Sequence, residues 1–116
     1  METEKAEALV ALGYPCIEPI LPELIEWMQD CNWPVAQVLQ PFLASIGAPL
    51  APHIREVLQS DDDVWKYWVI SCIVSESSEL ACLLTAELQC IALSPTVGEH
   101  EHEVDAQARA ILERLS

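Results

Sequence analysis

A short run of alternating acidic and imidazole side chains, Glu99-His100-Glu101-His102-Glu103, contains residue types that could bind a metal ion. Imidazole nitrogens and carboxylate oxygens are both common zinc ligands. On a helix, however, His100 and His102 are two positions apart and point to different faces, so they could share one ion only on an extended backbone. We therefore expect no metal site here. A solvated, acidic helix start, whose charges suit the helix dipole, is the simpler interpretation.

The sequence contains no motif that indicates catalysis. Nucleophilic catalysis needs a serine or cysteine beside a positioned base, and the sequence contains no G-x-S-x-G, no Cys-His motif and no glycine-rich phosphate loop. His53 lies beside an apolar stripe, where we expect a half-buried histidine rather than a catalytic base. The sequence thus predicts a protein that is not an enzyme and that uses no cofactor.

Two tryptophans follow acidic turns at the starts of predicted helices. The residues of this pattern, which we predict to bind a partner, are Asp30, Trp33, Asp61, Asp62, Asp63, Trp65 and the adjacent Lys66. In the core, the tryptophans would seal the junctions between helices; at the surface, they would anchor an interface. The aspartates suit helix N-termini, yet three adjacent carboxylates exceed what capping requires and could meet lysines or arginines of a partner.

The charge balance points to the same kind of partner. Nineteen acidic residues face five basic ones, which gives a formal net charge of -14. Such a field repels phosphate backbones and anionic lipids, so neither nucleic acid nor a membrane is expected as a partner. A basic protein is the natural complement. Alternatively, the charge only keeps a small protein with 52% apolar residues soluble.

Five cysteines bear on the compartment: Cys16, Cys31, Cys72, Cys82 and Cys90. They cannot all pair within one chain, they form no C-x-x-C motif, and we expect most of them on apolar helix faces as small hydrophobes. A reducing compartment fits this usage. The first residues, METEKAEALVALG, carry acids where a signal peptide needs basic residues, and their apolar run is short, so we expect a cytoplasmic protein.

Helical periodicity accounts for the whole chain, and no segment alternates like a strand. The predicted helices cover about 3–12, 16 or 19 to 28, 34–46, 49–58, 60–74, 79–93 and 101–115. Asn32 should cap the third helix, and Pro41 should kink or shorten it. The fifth helix is apolar nearly all round and should therefore lie at the centre, with Lys66, Tyr67 and Ser71 as its water contacts.

The chain also repeats itself with an offset of 30 residues, so that Leu21-Pro22 aligns with Ala51-Pro52 and, after two extra residues, Trp33 with Trp65. Hairpins with this pattern resemble HEAT-type repeats. The strings LPELIEWMQD, NWPVAQ, APLAPHIREVLQSDD and VWKYWVIS together resemble a family of small bacterial helical proteins described only as a domain of unknown function. The resemblance covers about Ile17 to Leu115. It implies a helical repeat fold and supplies no catalytic residues.

We therefore expect one all-α domain over residues 1–116, made of stacked antiparallel helical hairpins in a HEAT-like right-handed superhelix of about three repeats. Its expected function is to bind a protein without catalysis. A small acidic protein of this type suits an immunity or antitoxin role, in which it covers a basic bacterial toxin domain. The alternatives are a general HEAT-like scaffold or adaptor and a metal-binding protein that uses Glu99 to Glu103. Sequence leaves the oligomeric state open.

Overall fold

Every regular element of the computed structural model is a helix, and residues 2–115, which the structure describes, contain no β-strand. The α-helices in this range are α1 (Thr3–Leu12), α2 (Leu21–Glu26), α3 (Pro34–Ile46), α4 (Ala51–Leu58), α5 (Asp63–Cys72), α6 (Ser78–Leu83), α7 (Thr85–Leu93), α8 (Val97–Glu101) and α9 (Val104–Leu115). Short 3-10 helices occupy Glu18–Ile20, Trp27–Gln29, Ala48–Leu50 and Val74–Glu76. The predicted all-α class is confirmed.

Two glycines end helices where the sequence predicted. Gly13 follows α1 with φ 71°, and Gly47 follows α3 with φ 73°. This left-handed backbone disfavours residues with a side chain, so glycine is the natural stop. Pro41, in contrast, does not shorten α3, which continues through it to Ile46.

The predicted central helix is confirmed. Helix α5 contacts α9, α4 and the 3-10 helix Trp27–Gln29, and Val69 and Ile70 on it are fully buried. Val64 at its start was expected in the core but is 44% exposed. Around α5, helix α1 packs on α3, α2 on α4, and both α6 and α7 on α9. The radius of gyration is 13.6 Å, as expected for a compact chain of this length.

The predicted continuous helix over 79–93 is wrong, because the structure divides it at Leu84. The Thr85 hydroxyl donates to the carbonyl oxygens of Ala81 and Cys82, at 3.1 and 2.8 Å. Threonine bonds of this kind bend helices. Leu84 accordingly leaves helical geometry, with φ -103° and ψ 14°, and α6 and α7 pack as separate pieces.

The start of the last helix also differs from the prediction. Val97 and Gly98, expected in a loop, begin the short helix α8 with Thr96 as its N-cap, and Glu103, with φ 61°, lies between α8 and α9. The reason is local: Thr96 and Glu99 form a capping box, which begins a helix earlier than the acidic run suggested. On α9, Val104, Ala108 and Ile111 are buried and Leu112 is half-buried, as expected for its inward face, whereas Leu115, which was also expected there, is 37% exposed.

Two smaller expectations are corrected. Cys16, Cys82 and Cys90 are exposed, so most of the cysteines are not on buried faces; neighbouring apolar side chains take the inward positions instead. Asn32 does not cap α3, because Trp33 occupies the N-cap position, and the Asn32 backbone N–H donates to Asp30 Oδ1 at 2.8 Å. Among residues 2–115, none of the helices combines the length and the apolar character needed to cross a membrane.

Candidate partner-binding site

The structure divides the seven predicted partner-binding residues between the surface and the interior. The exposed members are Trp33, Asp61 and Asp62, the half-buried ones are Asp30, Asp63 and Trp65, and the buried one is Lys66. Their roles therefore have to be assigned one by one.

Lys66 is 4% exposed, and the expectation that it contacts water is wrong. Its Nζ lies 3.1 Å from Glu99 Oε2 and 3.2 Å from Asp63 Oδ1. Burial lowers the pKa of Lys66, but the hydrogen bonds to Glu99 and Asp63 outweigh it, so that the pKa ends above its ordinary value. Lys66 therefore ties α5 to α8 and is not presented to a partner.

Glu99, which the sequence suggested to be a solvated acid, is the buried partner of Lys66. Its Oε1 accepts the backbone N–H of Thr96 at 2.8 Å, while Thr96 Oγ1 accepts the Glu99 N–H at 3.1 Å. The spacing Thr-x-x-Glu is the capping-box signature and could have revealed this role. Gly98 allows the close approach of the two helices, since a Cβ there would lie 2.1 Å from Asp63 Oδ2.

Trp65 has a structural role and also reaches the surface. Asp62 caps α5 as predicted, accepting the Trp65 backbone N–H at 3.0 Å. The Trp65 indole Nε1 donates to the Ile25 carbonyl at 3.0 Å and so joins α5 to α2. Its ring also lines a recess of about 190 Å³, together with Pro22, Ile25, Glu26, His53, Glu56 and Val57.

Trp33 lies at the surface, in contact with Trp27. The ring centroids are 5.9 Å apart and the planes meet at 73°, an edge-to-face arrangement that leaves Trp33 41% exposed. Both rings line a shallow recess of about 310 Å³ with Glu23, Glu26 and Gln29. We refer to Glu23, Glu26, Trp27 and Trp33 as the Trp27–Trp33 corner. Because Glu26 also lines the Trp65 recess, the two recesses adjoin.

Three of the basic side chains form ion pairs with carboxylates of the same chain. Arg55 Nε lies 2.6 Å from Glu87 Oε1, Arg109 Nη1 lies 3.1 Å from Asp105 Oδ2, and Lys66 is paired as described. Burial raises the pKa of Glu87, but the hydrogen bond and charge of Arg55, with a hydrogen bond from the backbone of Glu87 itself, together outweigh it, and the pKa falls below its ordinary value. Within residues 2–115, these three cations have carboxylate partners in the same chain, and most of the other carboxylates in this range are exposed or half-buried.

The sequence of residues 2–112 matches the family described as Domain of unknown function (DUF5071). The chain belongs to this family. The resemblance to a domain of unknown function is therefore confirmed, and the DUF5071 match includes every residue of the Trp27–Trp33 corner. No curated protein matches this chain.

The acidic and histidine-containing segment of this DUF5071 chain is divided between two different contacts. Glu99 turns inward to Lys66, whereas His100 Nδ1 lies 2.9 Å from Asp105 Oδ2. The hydrogen bond with His100 lowers the pKa of Asp105, burial opposes this, and Arg109 lowers it further. Over residues 2–115, no three His, Cys, Asp or Glu side chains are arranged to hold a metal ion.

Two thiols of the chain influence each other. A hydrogen bond with Cys31 lowers the pKa of Cys72 to about 7, against the effect of burial, and the Ser71 hydroxyl, 3.7 Å from Cys72 Sγ, lowers it further. The same bond, with burial, raises the pKa of the Cys31 thiol. Cys72 is therefore partly ionised at neutral pH, a state that favours reaction with electrophiles.

Proposed function

We propose that this protein is a non-enzymatic binding module that captures a basic protein through its acidic, tryptophan-containing surface. The observation that carries the proposal is the position of Trp33. Its ring is 41% exposed, in a recess whose charged lining residues are Glu23 and Glu26. Tryptophan is strongly enriched among the residues that dominate interface affinity. An exposed tryptophan between carboxylates suits a partner with apolar and basic groups side by side.

Long-range electrostatics support the same partner. With a net charge of -14, the electrostatic field around the protein is negative. Complementary fields can raise association rates to about 10⁸–10⁹ M⁻¹s⁻¹ at low salt. The exposed Asp61 and Asp62 add to this field, although Asp62 also caps α5.

Within this class, the protein acts as an immunity or antitoxin protein in the cytoplasm. It neutralises a cognate bacterial toxin by covering the active site or substrate groove of a basic toxin domain, for example a nuclease. Small size, strong acidity and the lack of a catalytic motif in the sequence support this role. No bond is made or broken, and inhibition results from occupation of the groove.

The scaffold for this role is a HEAT-like right-handed stack of helical hairpins. Two packing relationships support it: α2 lies against α4, and α5 lies against α9. Each pair joins corresponding helices of successive hairpins, and the first pair follows the 30-residue offset. The break at Leu84 makes the third hairpin the least regular.

A second candidate function is a scaffold that docks a partner by hydrophobic contact. The observation that favours it lies at the junction of α7 and α8, where Leu93 is 82% exposed and Val97 is 76% exposed. Binding there would depend weakly on salt, because apolar burial rather than charge would drive it.

The test begins with capture of partners from the native host on the tagged chain, followed by kinetics with the purified partner. We expect a basic protein whose association rate falls at least about tenfold between low and high salt. The variant Glu23→Gln/Glu26→Gln/Glu56→Gln should slow association, whereas Leu93→Ser/Val97→Ser should not. The reverse pattern would favour the hydrophobic scaffold. A captured enzyme that remains fully active in the complex would contradict the antitoxin role.

A further inference from the structure

The Trp27–Trp33 corner combines two features that each favour a cation. The two indole rings stand nearly perpendicular, with 5.9 Å between centroids, and Trp33 keeps 41% of its surface exposed. The face of an indole carries negative partial charge and attracts a cation within about 6 Å of the ring centroid. A cation in this recess can therefore contact an aromatic surface as well as charge.

The carboxylates are positioned to complete such a site. Glu23 and Glu26 are three residues apart on α2, so they lie on one face of the helix, and both are exposed beside the rings. The remaining lining residue, Gln29, is neutral, so among residues 2–115 no cation lines the recess to compensate the two acids. An apolar side chain alone would desolvate these carboxylates without replacing their hydrogen bonds. The occupant must therefore supply N–H donors and positive charge.

We propose that the Trp27–Trp33 corner is the binding site for one arginine side chain of the partner, whose guanidinium lies against Trp33 and donates hydrogen bonds to Glu23 and Glu26. Arginine fits better than lysine because its planar, weakly hydrated guanidinium stacks on aromatic rings and donates to carboxylates in a fork. This inference rests on the proposed function and specifies which group of the basic partner is recognised.

The direct test uses small probes with the intact protein. N-acetylarginine amide, N-acetyllysine amide and the neutral analogue N-acetylcitrulline amide are titrated while the indole N–H signals of the four tryptophans are followed by NMR. We expect the arginine probe to move the Trp27 and Trp33 signals, the lysine probe to bind more weakly, and the citrulline probe to have little effect. Equal effects of the arginine and citrulline probes would overturn the proposal.

Variants separate a specific site from general charge. Trp33→Leu keeps an apolar side chain but removes the aromatic face, and Glu23→Gln/Glu26→Gln removes the carboxylates. Each should weaken arginine binding about two- to fivefold, the size expected for losing one exposed cation–π or charge contact. Glu101→Gln/Glu103→Gln makes the same change in net charge at exposed positions outside the corner and should bind like the wild type. An equal loss in this control would show that diffuse charge alone attracts the probe.

The two proposals can fail separately. A captured basic partner that binds Trp33→Leu and Glu23→Gln/Glu26→Gln as tightly as the wild type would overturn the arginine site and leave the proposed function intact. Specific binding of the arginine probe in a chain that captures no basic protein would support the site and count against the proposed function. Urea unfolding of each variant shows that it is folded, as expected for changes at exposed side chains.

Discussion

The Nζ atom of Lys66 lies 3.1 Å from Oε2 of Glu99, although 33 residues separate them, and both side chains are almost completely buried. Lys66 also bonds to Asp63 on its own helix. The Lys66–Glu99 pair connects the short helix α8 to the N-terminal half of the central helix α5. A charge in the interior is tolerated because its hydrogen-bonding groups are satisfied, and removing one partner leaves the other uncompensated.

Replacing Lys66 with methionine should therefore be strongly destabilising. Glu99 and Asp63 would keep their charges in a site that no longer contains a cation, and we expect the free energy of unfolding to fall by about 3–5 kcal/mol. Urea unfolding followed by circular dichroism measures this. Lys5→Met, at an exposed lysine, is the matched control and should change stability by less than about 0.5 kcal/mol. Equal stability of the two variants would show that the buried pair is not formed.

Gly98 should not tolerate a side chain. In Gly98→Ala the new Cβ would meet Asp63 Oδ2, which is held in place by its bond to Lys66 through Oδ1. Overpacking of this kind costs about 1–3 kcal/mol in the free energy of unfolding. In the Asp63→Ala background the same glycine substitution should cost much less, since the obstructing group is gone. Additive costs in this double-mutant cycle would contradict the contact.

Trp65→Phe tests the structural role of a residue that was predicted to bind the partner. Phenylalanine keeps an aromatic ring but leaves the Ile25 carbonyl without the indole donor, so stability should fall by about 1 kcal/mol or somewhat more. Trp68→Phe is the control, because the described residues give the Trp68 indole nitrogen no hydrogen-bond partner and its ring packs edge-on against Tyr67. If the two substitutions cost the same by urea unfolding, the Ile25 bond contributes nothing.

Protonation of Asp105 should account for part of the loss of folding stability at low pH. Its pKa is lowered in the folded chain by the hydrogen bond with His100 and by Arg109. A lowered folded pKa stabilises the fold above the unfolded pKa of about 3.9, and this contribution is lost as the pH falls through the folded value. In urea titrations from about pH 6 to pH 2, Asp105→Asn should therefore lose less stability than the wild type. Ala110→Ser, an exposed change on α9 without a titratable group, should follow the wild type.

The rate at which Cys72 is alkylated should depend on pH, and Cys31 should determine the midpoint of that dependence. Because the hydrogen bond with Cys31 lowers the pKa of Cys72 to about 7, its reaction with iodoacetamide should rise with a midpoint near that pH. In Cys31→Ala the donor is lost and the midpoint should move up. Peptide mass spectrometry measures the alkylated fraction of Cys72 separately from that of the exposed cysteines. A midpoint that is the same in both proteins would show that the thiols do not interact.

Local features of the fold could be predicted because their causes are local. Gly13 and Gly47 end their helices through their own backbone freedom, and Asp62 caps α5 by reaching a backbone N–H three residues away. The apolar character of α5 on nearly all of its sides similarly identified its central place. Where a nearby polar side chain competed with the helix, as Thr85 does, the periodicity alone gave the wrong boundary.

The candidate site could be predicted only in part, because it depends on which distant segments come together. Sequence identified Trp33 as a possible anchor, but its contact with Trp27 and its place beside Glu23 and Glu26 follow from how the turn before α3 folds onto α2. The pattern of its own helix predicted that Lys66 faces solvent. In the structure Lys66 is buried, because α8 covers it and supplies Glu99 as its partner. Helix periodicity reports which face of a helix is apolar, whereas burial of a polar group depends on a partner contributed from elsewhere in the chain.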